Sequence, residues 1–572
     1  MVAGIGTCTL TVDTVCGSSR TGGHSPDTVA PMSASPLSRA AGSTTTILDV
    51  VNRAGLLDPR RLTALTVALA RWGPTVAAPF AASALATPTR AAVVDDDGVT
   101  TWFELDRRST ALASGLHRLG LRRGENLGVA CRNHREFVEV TIAAAKAGLG
   151  VVYMNTSFAG PQMNEVLARE DVAGLVIDAA LVDLVDVDTF TSPIVVADCG
   201  GGRALDRRCR NAEHVTTSDD VRRGAMWRLP LRASLPVAPI LLTSGTTGTP
   251  KGARRPSGNT DIHAATGILE RIPYRHDDIV AITSPLFHAW GLAQMLLAAT
   301  LGCTISVTRT FDAVDTLSRI ERDRVSVLAV VPAILQRLLG SSAFDDADLS
   351  SLRVVASSGS ALPVPVVEDW LERGGTNLYN MYGSTEVGQA TLATPEDLVD
   401  EPATAGRVMA GSVVAVLDPN GAEVPTGELG RIFVGNANQF EQYTGGGGKE
   451  LVDGLMCTGD VGFMRADGLL FVTGRADDMI VSGGENVFPQ EVEDLLLAHR
   501  EIADVAVVGV DDASLGQRLV AHIVLAEGSP LTERQVKTLV SGSLARHKTP
   551  RDVCFVDELP RTATGKLRRS DL

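Results

Sequence analysis

From about Trp72 onward, stretches with apolar residues at three- and four-residue spacing alternate with short runs of aliphatic and β-branched residues. ELDRRSTALASGLHRLG (104–120) and EFVEVTIAAAKAG (136–148) carry the helical period, whereas NLGVAC (126–131) and VVYMN (151–155) read as buried strands. Such alternation predicts doubly wound α/β layers. The texture changes after Gly406: SVVAVLD and ELGRIFVG flank Pro419-Asn420-Gly421, which predicts a hairpin in a small β subdomain spanning about 406–475. Beyond Gly474 come a helix (489–499), two strands (VAVVGV and LVAHIVLA) and a second helix (533–547). That is enough chain for a separate α+β domain. The expected fold class is α/β: a large N-terminal domain of layered α/β subdomains plus a small β subdomain, followed by a small α+β C-terminal domain.

Thirty residues from Ile279 to Thr308 carry no Asp, Glu, Lys or Arg, long enough to span a bilayer. Pro285, His288, Gly291, Gln294 and Gly302 interrupt them, so the segment reads as a strand (IVAITS), a loop (PLFHAWG), a helix (LAQMLLAAT) and a strand (CTISVT) in a buried core. Residues 1–45 are rich in Ser, Thr, Gly, Ala and Pro without periodicity, and are expected as a disordered leader. They have no basic start and no long apolar core, so they do not resemble a secretory signal.

Composition narrows the function. The chain has 572 residues and a formal net charge of -15, which argues against sequence-independent binding to nucleic acid. Positive charge for an anionic ligand must therefore be placed locally, and only six basic residues are lysine: Lys146, Lys251, Lys449, Lys537, Lys548 and Lys566. The eight cysteines show no metal-binding spacing, so a reduced cytoplasmic protein without structural zinc is expected.

The strongest local signal is Thr243-Ser244-Gly245-Thr246-Thr247-Gly248-Thr249-Pro250-Lys251 after the apolar run PILL. Glycines let backbone amides approach phosphate oxygens, hydroxyls add donors and the lysine neutralises charge. It is not a Walker A loop, which would need glycine at Pro250 and a hydroxyl at Gly252.

TSGTTGTPKG resembles the phosphate loop of the AMP-forming adenylating enzymes, the superfamily of acyl-CoA synthetases, peptide-synthetase adenylation domains and beetle luciferases. PLFHAWG (285–291), NMYGSTE (380–386), TGDVG with GRADDMIVSGGENV (458–487) and PRTATGK (560–566) occur in the family's order. The likeness runs from roughly Arg71 to the C-terminus, and five ordered motifs are far more specific than any one.

The resemblance implies a division of the chain and a set of roles. Residues 46–475 would form the N-terminal AMP-binding adenylation domain and 478–572 a mobile C-terminal lid, with a hinge at Asp477. Thr243, Ser244, Gly245, Thr246, Thr247, Gly248 and Lys251 would hold phosphates; Gly359, Ser360 and Ala361 would wall the adenine pocket. Tyr382 would stack on adenine beside Gly383, Thr385 would contact the α-phosphate, and Glu386 would bind Mg²⁺. Asp460 would take the ribose hydroxyls and Arg475 the ribose and phosphate side. Lys566 would be carried by the small domain to the reacting carboxylate and α-phosphate. His288 and Trp290 would border the acyl substrate, although the gating tryptophan of some long-chain members falls four residues after the histidine, and Trp290 only two. Gly483 and Gly484 would approach CoA.

The expectation is thus an ATP-dependent acyl-CoA synthetase acting through an acyl-adenylate on an apolar acid, with the long- and medium-chain fatty-acid ligases of the family closest. ATP and CoA are its co-substrates. An acyl-AMP ligase feeding a separate carrier protein is the alternative. Peripheral membrane contact, monomer or homodimer, and the roles of 46–70 and Gly445–Gly448 stay open.

Overall fold

Thr101 starts the helix Trp102–Arg118 with a capping box: its hydroxyl accepts the Glu104 amide while the Glu104 carboxylate accepts the Thr101 amide. The helix therefore begins two residues before the periodic run from Glu104. Helix Arg135–Ala147 opens at His134, whose ring accepts the Glu136 amide, and closes at Gly148 in the left-handed region (φ 74°). The computed structural model describes residues 50–52, 55, 57–197, 213–223, 237–243, 251–254, 262–482, 484–512, 514–562 and 565–572. The expected leader, 1–45, lies outside them.

Three sheets organise the described residues. In the first, Ile240–Thr243, Gly150–Tyr153, Asn126–Ala130, Val172–Asp178, Ile194–Ala197 and Val215–Thr217 run parallel, and Lys251–Arg254 then Gln442–Tyr443 add an antiparallel edge. The second sheet has a parallel centre made by Thr304–Ser306, Ile279–Ile282, Val327–Val330, Val354–Ser358 and Leu378–Ser384. It continues, antiparallel, through Gly388–Ala393, Gly406–Val408, Leu469–Arg475, Leu455–Met464, Gly430–Asn436 and Ser412–Leu417. The β-rich region after Gly406 is thus hydrogen-bonded into the large sheet. Its hairpin forms, but the connection runs from Asp418 to Leu429: the Asp418 carboxylate caps the amides of Asn420 and Ala422 around Gly421 (φ 83°), and the chain loops onward before pairing.

The third sheet, in the C-terminal region, joins Glu485–Val487, Ile480–Ser482, Gly516–Leu525, Ile502–Asp512 and Asp552–Phe555. Val492, Leu496, Val507, Leu519, Ile523, Val536 and Val540 form its core beneath the helices Pro489–Leu497 and Glu533–Ser543.

The uncharged segment is buried, as its pattern predicts, with one correction. His288 takes extended backbone dihedrals as the cap, and the helix Ala289–Leu301 begins directly after it, so Trp290 and Gly291 lie in a helical turn rather than in a loop. Gly291 permits this: a Cβ there would sit 2.3 Å from the Pro285 carbonyl oxygen. Among the described residues no helix is long and apolar enough to cross a membrane.

The helix Pro59–Trp72 packs by Ala64, Ala68 and Trp72, leaving Leu62, Val67 and Leu69 exposed. Next to it Lys146 is a structural strut. Its fully buried ammonium donates to Asp106 Oδ1 at 2.7 Å, to the Asp106 carbonyl, and to Ser109 and Thr110 hydroxyls at 2.9 Å, which compensates its desolvation. Cys131, His134 and Asp178 place one donor atom each within 4.8 Å of one another, but His134 Nε2 lies 2.7 Å from Asp178 and its Nδ1 takes the Glu136 amide, so both ring nitrogens are committed.

Candidate active site

The Gln442–Tyr443 edge of the first sheet meets the turn after a strand of the second through the Tyr443 hydroxyl, which donates to Glu386. Thr243 pairs with Lys251 across the antiparallel strands Ile240–Thr243 and Lys251–Arg254. A Walker A loop would lead into a helix N-terminus. Ser244, Gly245, Thr246, Thr247 and Gly248 lie outside the described residues. The Lys251 ammonium sits 5.4 Å from the centre of the Tyr443 ring, a cation–π distance.

Gly359, Ser360 and Ala361 follow the end of the strand Val354–Ser358 and are exposed, with Gly359 at φ 100°. On the neighbouring strand a bulge between Tyr382 and Gly383 turns the chain. Glycine is required at 383 because a Cβ would lie 2.2 Å from the Gly388 carbonyl oxygen. The turn after this strand carries Thr385 and Glu386. Ser384 donates to Glu386 Oε2 at 3.0 Å and Tyr443 donates to Oε1 at 3.0 Å, so both carboxylate oxygens are held by hydroxyls.

Asp460 and Arg475 are direct partners in a β ladder. Tyr382 donates its phenol to Asp460 Oδ2 at 2.5 Å, and Arg475 Nη1 reaches Asp460 Oδ1 at 3.4 Å. Burial, then the Asp460 charge, push the Tyr382 phenol well above its ordinary range, so it remains a donor. Gly459, at φ 89°, leaves the space in which the Arg475 guanidinium lies: a Cβ would sit 3.0 Å from Nη2. Asp477 accepts from Arg475 Nη2 at 3.2 Å at the exit from the second sheet.

Lys566 arrives from the C-terminal region. Lys566 is exposed at the surface, yet lies within electrostatic reach of Glu386, Asp460, Arg475 and Lys449. Desolvation is the main cause of a lowered pKa; Glu386 and Asp460 oppose it, and Arg475 and Lys449 add to it. The charges of Glu386, Asp460, Arg475 and Lys449 thus all act on Lys566, an arrangement suited to a polyanion and a migrating negative charge.

His288 is half-buried, with its Nε2 shielded from water and without a hydrogen-bond partner, and desolvation, with a smaller push from Lys566, lowers its pKa to about 3. The ring is neutral across the physiological range. Trp290 is buried, its indole donating to the Val330 carbonyl at 3.1 Å. A swinging gate does not fit a tryptophan held in this way. Gly484 (φ 85°) stands at the tip of a hairpin with open space around its Cβ position, and Gly483 lies outside the described residues.

Two groups here were not singled out by sequence reasoning. Tyr443 bridges Glu386 and Lys251, and Lys449 donates to the Thr458 carbonyl at 2.7 Å beside Asp460. Gly445, Gly446 and Gly447, all at positive φ, turn the chain between them, with Tyr443 N donating to the Gly447 carbonyl. The scarcity of lysine was the one available signal for Lys449.

Residues 80–444 match the AMP-binding enzyme family and residues 491–566 match the AMP-binding enzyme C-terminal domain. The chain belongs to the AMP-binding enzyme family, as an AMP-forming acyl-CoA synthetase of the adenylating superfamily. It is 33% identical over 468 residues to the indoleacetate–CoA ligase of Aromatoleum aromaticum, covering 81% of this chain and 90% of that one. The anthranilate CoA ligase AuaEII, solved with anthranoyl-AMP, aligns at TM-score 0.77 and 25% identity over 87% of this chain and 96% of its own. The Bacillus subtilis o-succinylbenzoate CoA synthetase, solved with ATP and magnesium ion, aligns at TM-score 0.74 and 26% identity over 86% and 98%. These relatives are named for ring-bearing acids, which moves the comparison away from the expected fatty-acid ligases.

Proposed function

We propose that the protein joins an aromatic or aryl-substituted carboxylic acid to CoA in two steps in one cleft. In the first, a carboxylate oxygen attacks the α-phosphorus of ATP and the bond to the β-phosphate oxygen breaks, giving acyl-adenylate and pyrophosphate. In the second, the CoA thiol, losing its proton, attacks the acyl carbon and AMP leaves. The observation that carries the reading is the pair of contact sets Tyr382–Asp460–Arg475 and Ser384–Glu386–Tyr443, drawn from distant parts of the chain, with Lys566 within electrostatic reach of both.

Tyr382 with Gly359, Ser360 and Ala361 would bound the adenine, Asp460 the ribose and Arg475 the ribose and phosphate side. Thr385 would sit at the α-phosphate, and Thr243 to Lys251 would hold the outer phosphates. The Glu386 carboxylate fits Mg²⁺, since its oxygens are hard donors oriented by the Ser384 and Tyr443 hydroxyls. When bound, the ion would neutralise phosphate charge. Lys566 would supply a point charge between carboxylate and α-phosphate as negative charge redistributes, so the gain comes from positioning and electrostatics. His288, neutral and unpartnered, would border the acid without moving a proton, beside Trp290. Gly483 and Gly484 would meet pantetheine only after the small domain turns about Asp477.

The test is a panel of arylacetic, benzoic, cinnamic and straight-chain acids with ATP and Mg²⁺, following pyrophosphate without CoA and acyl-CoA by mass with it. Thioester from a ring-bearing acid at a kcat/KM at least about tenfold above any straight-chain acid, a difference of roughly 1.4 kcal/mol in transition-state binding, is expected. Preference for a straight-chain acid would contradict the substrate class. Adenylate without thioester would contradict the CoA step.

A further inference from the structure

The Lys566 turn is braced within its own domain and docked onto one helix face of the large domain. The Thr562 amide donates to the Lys566 carbonyl at 2.8 Å, the Gly565 amide to the Thr562 carbonyl at 2.8 Å, and the Lys566 amide to Thr562 Oγ1 at 3.1 Å. Arg561 ties this turn to the sheet. Its Nη2 reaches both Asp504 oxygens at 2.7 and 2.8 Å, while Nη1 donates to the Gly565 carbonyl at 2.8 Å. A forked guanidinium fixes orientation as well as distance.

The docking surface is the helix Pro332–Leu339, which comes after the central strand Val327–Val330. Gln336 Nε2 donates to the Ala503 carbonyl at 2.8 Å, one residue before Asp504. One turn earlier on the same helix face, Ala333 meets Gly565 so closely that a Cβ at 565 would lie 2.7 Å from the Ala333 Cβ. Two contacts three residues apart on this helix thus receive two points of the small domain that Arg561 holds at a fixed separation. The helix is itself steadied by Arg337, whose guanidinium sits 4.6 Å from the Phe311 ring centre.

We propose that Ala333 and Gln336 are positioning residues for adenylate formation: they seat the Asp504–Arg561–Gly565 brace so that Lys566 enters the cleft, and they act in the first half-reaction alone. This rests on the two-step reading of the function, because the contacts cross between regions that must separate for the second step. The brace itself lies within the small domain and travels with it.

The experiment measures both half-reactions in the full chain: pyrophosphate release from the best acid of the panel with ATP and no CoA, and thioester formation from the corresponding synthetic acyl-adenylate with CoA. Ala333→Leu places bulk where Gly565 must sit. It should lower adenylate formation about 10- to 100-fold, the scale of a displaced catalytic group, and leave thioester formation within about twofold. Gln336→Ala, an uncrowded truncation at a part-exposed position, should lower adenylate formation roughly 2- to 10-fold with the same selectivity. Arg561→Lys should retain more adenylate formation than Arg561→Ala. In a Lys566→Ala background, adding Ala333→Leu should cause no further loss beyond about twofold, because both changes remove the same group from the cleft.

Equal losses in both half-reactions, or multiplicative losses with Lys566→Ala, would overturn the positioning role. Unaltered adenylate formation in Ala333→Leu and Gln336→Ala, with Lys566→Ala still impaired, would overturn the docking contact alone. Wild-type adenylate formation in Lys566→Ala would instead overturn the step-one role of Lys566, and no adenylate from the unaltered chain would overturn the two-step reading beneath it.

Discussion

Glu386 is held at both oxygens by hydroxyls from different stretches of chain, Ser384 two residues away and Tyr443 fifty-seven residues on. Removing the second donor should free one oxygen without disturbing the fold. Tyr443→Phe is expected to lower pyrophosphate release about 10- to 150-fold, the value of one hydrogen bond to a charged group. Lys566 carries a pH prediction. Desolvation lowers its pKa, so adenylate formation should persist while the ammonium is protonated and fall as pH rises through a value below the ordinary lysine range of about 10.4. Lys566→Arg, slower overall, should move that alkaline limb upward because guanidinium stays charged; an unmoved limb would assign it to another group. At this scale the motif residues were legible, since Tyr382 to Glu386, and Asp460 with Arg475, lie close together in sequence. Tyr443 was not, because it sits beside a glycine run and its partners come from distant strands. His288 was expected beside the substrate without a proton role; in the structure its Nε2 is buried without a hydrogen-bond partner and its pKa is lowered to about 3.

Among the elements, the strongly periodic helices were readable and their ends shifted for local reasons. Thr101 extended one by two residues through a capping box, and His288 turned an expected loop into the first turn of Ala289–Leu301. The orientation of Pro59–Trp72 was not readable. Small residues Ala64 and Ala68 face inward for close packing while Leu62, Val67 and Leu69 face water, the reverse of ordinary amphipathic order. The helix Pro489–Leu497 holds a testable group. Burial, with Glu493 beside it, raises the Asp494 carboxyl to about 7, against an unfolded value of about 3.9. The folded state therefore binds the proton more tightly, so this contribution to stability is full below about pH 4 and is lost as pH rises through about 7. Asp494→Asn should raise Tm by about 2–4 °C at pH 8 and change it little at pH 4, read by calorimetry at both pH values. Equal shifts at both would show that charge burial is not the cause.

The α/β class of the whole molecule and its α+β C-terminal part could be read from alternating periods. The path of the second sheet could not. Gly406–Val408 joins the parallel centre to the antiparallel strands through pairings with Gly388–Ala393 and Leu469–Arg475, distant in the chain, and no local pattern encodes such a register. The same holds for the arrival of Lys566 against Glu386 and Asp460, which depends on how the C-terminal region seats on the helix Pro332–Leu339. This seating, as proposed, serves the first chemical step and not the second. Lys566→Ala, assayed for pyrophosphate release from acid and ATP and separately for thioester formation from supplied acyl-adenylate, tests that claim most directly. A loss of about 100-fold or more in the first and a change of less than about threefold in the second are expected for a charge that acts only where negative charge redistributes at phosphorus. Equal losses in the two half-reactions would contradict it.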